Sequence, residues 1–276
     1  MLIGVVAAAL ASLGYGAATV LQAGAVTSHH LDKARRRWLF VAGLALDGVA
    51  WLLSLVAFGH LPLATAEAVL ASSVAVTAIL ADAAARRRIA RRTWVAGSMF
   101  ALGATLIAGA TGPVRPHAVT PLLLVISAAT LAVVIVVAAG VYRRGSAPLL
   151  SAVAGVAFTG TAVCGRLLDP TDLSVAAVLD VVLLVGFSGA GVVTFARALA
   201  RGTEAGTAAV MWTTELIVAL VAGVALLGDA IRPASTVPAA AGIGGVVAAC
   251  WILTRTNETR TRVSPTEQFA PSGHRR

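Results

Sequence analysis

Polar residues in this chain come in short groups, and between them lie nine apolar stretches, at about residues 3–26, 38–59, 62–82, 94–112, 119–142, 148–168, 174–196, 205–227 and 236–254. A helix needs roughly 20 apolar residues to cross a hydrocarbon layer about 30 Å thick. The pattern therefore predicts nine transmembrane helices. Several are separated by little more than turn chemistry, as at His60-Leu61-Pro62 and Arg232-Pro233, so neighbours in sequence are expected to run antiparallel. The first stretch offers Ala-rich sites resembling a signal-peptide cleavage site. It has no positive leading segment and is longer than the usual ~7–15 apolar residues, so it is read as a retained span.

Composition agrees: 58% of residues are hydrophobic, 12% are charged and the mean hydropathy is +0.90, more apolar surface than one soluble core can bury. The expected fold class is an all-α, polytopic membrane protein.

Charge adds orientation. The net charge of +9 would point to nucleic acid in a soluble protein, but here the basic residues sit between spans. Of the 21 Lys and Arg residues, all but Arg115, Arg166 and Arg232 fall in the first, third, fifth and seventh connections or in the tail. The positive-inside rule then places the N-terminus outside and the C-terminus in the cytoplasm, in the cell (inner) membrane. No nucleic-acid partner is expected. Residues 255–276 are polar, hold two prolines and lack apolar periodicity, which predicts a disordered cytoplasmic tail whose basic residues are solvated or touch anionic lipid.

One unit occurs twice: a helix, a short hinge, an Ala/Ser/Thr-rich helix, a charged turn and a Gly-rich helix, over residues 55–110 and again over 195–253. The second copy resembles the EamA-type repeat of the drug/metabolite transporter superfamily. The residues that carry the likeness are the hinge Ala198-Leu199-Ala200-Arg201-Gly202-Thr203, the acid Glu215 and the pair Gly228-Asp229. Leu216 stands where that family has Pro, and Asp229 where it has Glu. The first copy is less similar: Glu67 lies near the position of Glu215, but arginines replace the Gly-Glu turn. Four spans plus five resembles the magnesium-transporter-like NIPA branch. The implied organisation is a first repeat over 1–112, a second over 113–254, and the tail. Because the two copies start on opposite sides they form an inverted repeat, which implies alternating access around a midplane site.

An ionisable group inside the membrane costs at least ~2.5–3.5 kcal/mol on insertion scales and so needs a partner, a cavity or a role. Asp47 lies about 14 Å into its helix, on a stripe with Gly43, Trp51, Ser54 and Phe58. Glu215 lies at similar depth beside Trp212, Thr213 and Thr214, mirroring Asp47 and Trp51. Glu67 and Asp180 are shallower, and Glu67 can reach interfacial water by extending its side chain. Tyr15 and Gln22 share a face of the first span and can add polar contacts or simply bridge helices. Dry surroundings raise the pKa of a carboxylate in general. Asp47 and Glu215 are therefore expected to bind protons or a cation in alternation.

No Lys or Arg lies deep in a span, which favours a cationic or neutral small-molecule or ion substrate. The glycines at 14, 16, 97, 103, 186, 189, 191, 242, 244 and 245 are read as packing positions. Cys164 and Cys250 fall inside apolar stretches and are read the same way, without a disulfide. Gly14–Thr19 weakly echoes a dinucleotide fingerprint but follows no strand, so no cofactor is expected. All five histidines sit in connections or the tail, and Gly186-Phe187-Ser188-Gly189-Ala190 misses the hydrolase elbow by one glycine. An enzyme is not expected. A divalent-cation transporter, a lipid flippase and a scaffold stand as alternatives, and membrane lipids and a second copy of the chain as partners.

Overall fold

The computed structural model describes residues 2–27, 32–84, 88–89, 91–112, 119–169, 171–202 and 204–263, with the side chains of 23, 26–27, 204–206, 233 and 253–263 outside that description. Arg86, Arg87, Arg115, His29, His30, His117 and Thr203 lie outside it, as does the end of the tail, 264–276. The described residues form ten α-helices: α1 (Leu2–Thr27), α2 (Lys33–His60), α3 (Leu63–Leu70), α4 (Ser73–Ala84), α5 (Arg91–Ala110), α6 (Pro121–Tyr142), α7 (Ala147–Leu167), α8 (Val175–Leu199), α9 (Glu204–Leu226) and α10 (Thr236–Val263). A 3-10 turn, Pro233–Ser235, precedes the last. There is no strand among these residues, only an isolated bridge between Thr111 and Ile231. Taking α3 and α4 together, eight segments are long and apolar enough to cross a membrane, and Thr236–Ile252 of α10 is apolar but shorter. The chain is an all-α, polytopic membrane protein.

Local chemistry explains the ends. Asp32 caps α2 by accepting from the Arg35 N–H at 2.9 Å, and Thr120 and Ser174 do the same for α6 and α8. Helix α2 stops at Leu61, which is extended because Pro62 follows it. The expected third span is interrupted: at Ala71-Ser72 the backbone tightens into three-residue bonds, Ser72 N–H to Val69 and Ala75 N–H to Ser72. Ser12 joins the Ser72 hydroxyl at 2.8 Å. Beyond Ile252, α10 continues to Val263, into the stretch expected to be disordered.

Helix α7 runs through the interior, buried over most of its length, whereas α6 shows lipid-type exposure, Leu122 at 68% and Val136 at 71%. Packing follows a paired scheme. Helix α1 lies against α2, α3 and α4, and α7 lies against α8 and α9; α3 meets α9, and α5 meets α10. Glycine permits close approach at several of these crossings. At the α5–α10 crossing a Cβ on Gly103 would stand 2.7 Å from the Gly242 carbonyl, and one on Gly242 would stand 2.7 Å from the Gly103 carbonyl.

The connection after α9 turns at Gly228, whose φ is 60°. A side chain in that left-handed conformation is strained by about 1–2 kcal/mol. Gly228→Ala is thus expected to lower stability by about that amount without removing a contact, measurable as a shift in reversible unfolding of the purified protein in mixed micelles.

Candidate functional site

Helix α3 is buried on all sides from Leu63 to Ala68 because it is wedged among α1, α5 and α9. Glu67 is its central polar residue and is 0% exposed; Glu215, in the middle of α9, is 5% exposed. The two carboxyl groups face each other within hydrogen-bonding reach. Beyond this mutual contact, neither oxygen of Glu67 nor Oε2 of Glu215 has a hydrogen-bond partner among the described residues. Two ionised carboxylates in a dry contact repel severely, and a shared proton or a cation between them relieves that repulsion.

Glu215 is placed by the α7–α9 crossing. Gly155 lets the α9 backbone approach, and Thr159 Oγ1 donates to the Glu215 carbonyl at 3.2 Å and to the Gly155 carbonyl at 3.0 Å. Tyr15, half-buried on α1, shares a hydrogen bond with Ser54 of α2 at 3.5 Å and stands within electrostatic range of Glu67, Glu215 and Asp47 together. Trp212, one turn before Glu215, is half-buried between two apolar clusters, one drawn from α1, α2, α3, α6, α7 and α9 and one from α3, α4, α5, α9 and α10.

The expected residues therefore divide. Glu67, Glu215 and Tyr15 are brought together, with Trp212 beside them and half-buried Asp47 at the margin on α2. The partner facing Glu215 is Glu67. Trp51 packs on a separate cluster with Val153, Leu184 and Phe187, and Gln22 packs over Gly43 toward the start of α2. Asp180 is buried in α8 against the Cys164 thiol of α7, apart from this group. Cys164 and Cys250 are both free and buried.

A second polar cluster was not read from the sequence. Arg166, in the last turn of α7, is buried; its Nη1 donates to the carbonyls of Phe58, at 2.9 Å, and Leu61. Its Nη2 pairs with Asp229 Oδ1 at 3.4 Å, and Asp229 Oδ2 accepts from the Leu63 N–H at 2.9 Å. The available signal was that Arg166 breaks the charge partition while standing inside an apolar stretch. Nearby, the exposed Asp169 is held below the usual carboxylate range by two hydrogen bonds from Thr171.

Two shallow surface depressions, of about 380 and 420 Å³, are lined by Lys33, Arg36, Arg37 and Phe40 and by Arg91, Trp94 and Met99. Neither touches the carboxyl pair, both members of which are buried. Among the described residues no three His, Cys, Asp or Glu side chains converge. The fold and site together define a multi-pass helical membrane protein with a buried, facing pair of acids at the contact between two helices. No known protein family, curated protein or solved structure matches the chain.

Proposed function

We propose that this protein is a secondary transporter of the cell membrane that moves a small cationic or neutral solute by alternating access, coupled to protons through Glu67 and Glu215. The observation that carries this reading is the facing pair of buried carboxyls, donated by helices that occupy matching places in the two copies of the repeated unit. Its support in the fold is the paired packing: α1, α2, α3–α4 and α5 contact one another as α7, α8, α9 and α10 do, with α3 meeting α9 and α5 meeting α10. That pattern supports an inverted repeat with four spans in the first copy and five in the second, α6 being the additional helix. Nine spans then put the basic connections in the cytoplasm and the Leu61, Thr111, Arg166 and Asp229 end outside.

In this scheme the carboxyl pair lies where the halves meet, and a change in their relative position is what separates or joins the two acids. Together they need a proton or a cation; apart and wetted, each ionises. Proton release thereby accompanies the change of access, and a cationic solute competes for the same charge. Asp47, half-buried and within range of Tyr15, is the next carboxylate on the path.

Purified protein in liposomes with an internal pH dye tests the proposal. A cationic or neutral organic solute is expected to drive saturable proton movement. Mg²⁺ uptake without proton movement, and with no response to any organic solute, overturns the proposal in favour of a divalent-cation carrier.

A further inference from the structure

Helix α3 has three features that belong together. It is eight residues long, bounded on one side by the extended Leu61-Pro62 and on the other by the tightened turn at Ala71-Ser72. It carries Glu67 one turn from its first residue, Leu63. Its first N–H is held by Asp229, which belongs to the connection after α9 and is itself held by Arg166 of α7. A short segment with a turn at one end and a charged clasp at the other can swing as a unit.

The clasp is built to hold. Arg166 and Asp229 form a buried ion pair, with side-chain exposures of 2% and 8%. Arg166 also takes the carbonyls of Phe58 and Leu61, so one guanidinium gathers the end of α2, the start of α3 and the connection after α9. Around it the same end is closed by backbone bonds from Gly112 N–H to the Ala230 carbonyl at 2.8 Å and from Arg232 N–H to the Ala110 carbonyl at 3.0 Å. Thr65 of α3 joins Thr111 at 3.1 Å. These contacts lie over the first turn of α3, between Glu67 and that face of the protein. At the other end of α3, the hydroxyl contact between Ser12 and Ser72 leaves the turn as the point about which the segment can rotate.

We propose that α3 is the gate to the carboxyl pair from the Asp229 face, latched by Arg166–Asp229 and hinged at Ala71-Ser72. The proposal rests on the transporter reading above and states how access to that site is controlled. Breaking the latch removes the charge pairing that fixes residue 229 over the Leu63 N–H, so the first turn of α3 can leave α9, which wets Glu67 from that side. The structure is the latched state.

The test reads access directly. Ala64→Cys places a thiol in the first turn of α3, and Leu173→Cys, fully exposed in the connection between α7 and α8, reports the same face. The native cysteines are buried, and the parent protein supplies their background. A membrane-impermeant maleimide is added to full-length protein in sealed vesicles. Ala64→Cys is expected to be protected with the latch intact and to label at least about tenfold faster with Asp229→Asn or Arg166→Gln, as when a minor open state becomes the major one. The Leu173→Cys rate is expected to stay constant, and the double latch variant to label no faster than either single one.

Asp229→Asn keeps an acceptor for the Leu63 N–H and removes only the charge, so it decides the matter if Arg166→Gln fails to fold. Unchanged protection of Ala64→Cys in Asp229→Asn overturns the gate. Faster labelling together with uptake that ignores Glu67→Gln keeps the gate and removes the coupling reading; protected labelling with uptake that depends on Glu67 does the reverse.

Discussion

Glu67→Gln and Glu215→Gln are each expected to reduce pH-gradient-driven uptake to the level of protein-free vesicles, while solute exchange without a gradient continues. The reason lies in hydrogen-bond chemistry at the α3–α9 contact. In the native pair both groups are acceptors when ionised, and under the proposed coupling a proton sits between them. A glutamine amide supplies N–H donors permanently. The remaining carboxylate is then satisfied without a proton, and the site no longer needs to bind one in one state and release it in the other. Glutamine has the shape of the acid, so the buried volume on α3 or α9 is unchanged and folding is expected to survive. Asp47→Asn, half-buried and outside the facing pair, is expected to slow uptake without abolishing its dependence on the gradient. Full gradient-driven uptake in both glutamine variants would move the coupling away from this pair altogether.

The helices were legible because their cause is local: apolar runs of membrane length, bounded by proline, charge and capping residues, leave little choice of secondary structure. The break in the third span was not, since Ala71 and Ser72 carry none of the usual punctuation. It comes from a rearranged backbone bond pattern that shifts no hydropathy. Depth along a helix can be counted from sequence, but the rotation that decides which acid meets which cannot. Depth puts Asp47 and Glu215 at similar levels, and packing is what sets Glu67 opposite Glu215.

Glu67 also looked shallow enough to reach water. Residues 61–63, 111–112 and 227–232 fold together over that end and bury it, a consequence of contacts between segments far apart in the chain. Arg166 and Asp229 stand 63 positions apart, and each alone reads as a charge near a membrane surface. Only their convergence makes a buried pair. Trp51 and Gln22 share helical stripes with site residues yet pack elsewhere, because a stripe is wider than a site.

Gly155→Ala is expected to be the most damaging single-methyl substitution at the site. A Cβ there would stand 2.7 Å from the Met211 carbonyl oxygen, 3.0 Å from Thr214 Cβ and 3.1 Å from the Glu215 nitrogen. Two of these are backbone atoms and the third is fixed to the backbone, so no side chain can swing aside. Helix α9 must move away from α7. Overpacking of this kind costs about 1–3 kcal/mol, and here it outweighs the roughly 0.5–1 kcal/mol that alanine normally gains over glycine within a helix. The displaced segment includes Glu215, whose carbonyl also loses its 3.2 Å bond from Thr159. The variant is therefore expected to lose both stability, read by reversible unfolding in mixed micelles, and proton-coupled uptake. Gly189→Ala on α8 supplies the contrast: nothing stands within 4 Å of its added Cβ, so the helix-propensity gain is expected to appear unopposed and uptake to stay at the native level. Equal behaviour of the two alanine variants would mean that the α7–α9 approach does not place Glu215.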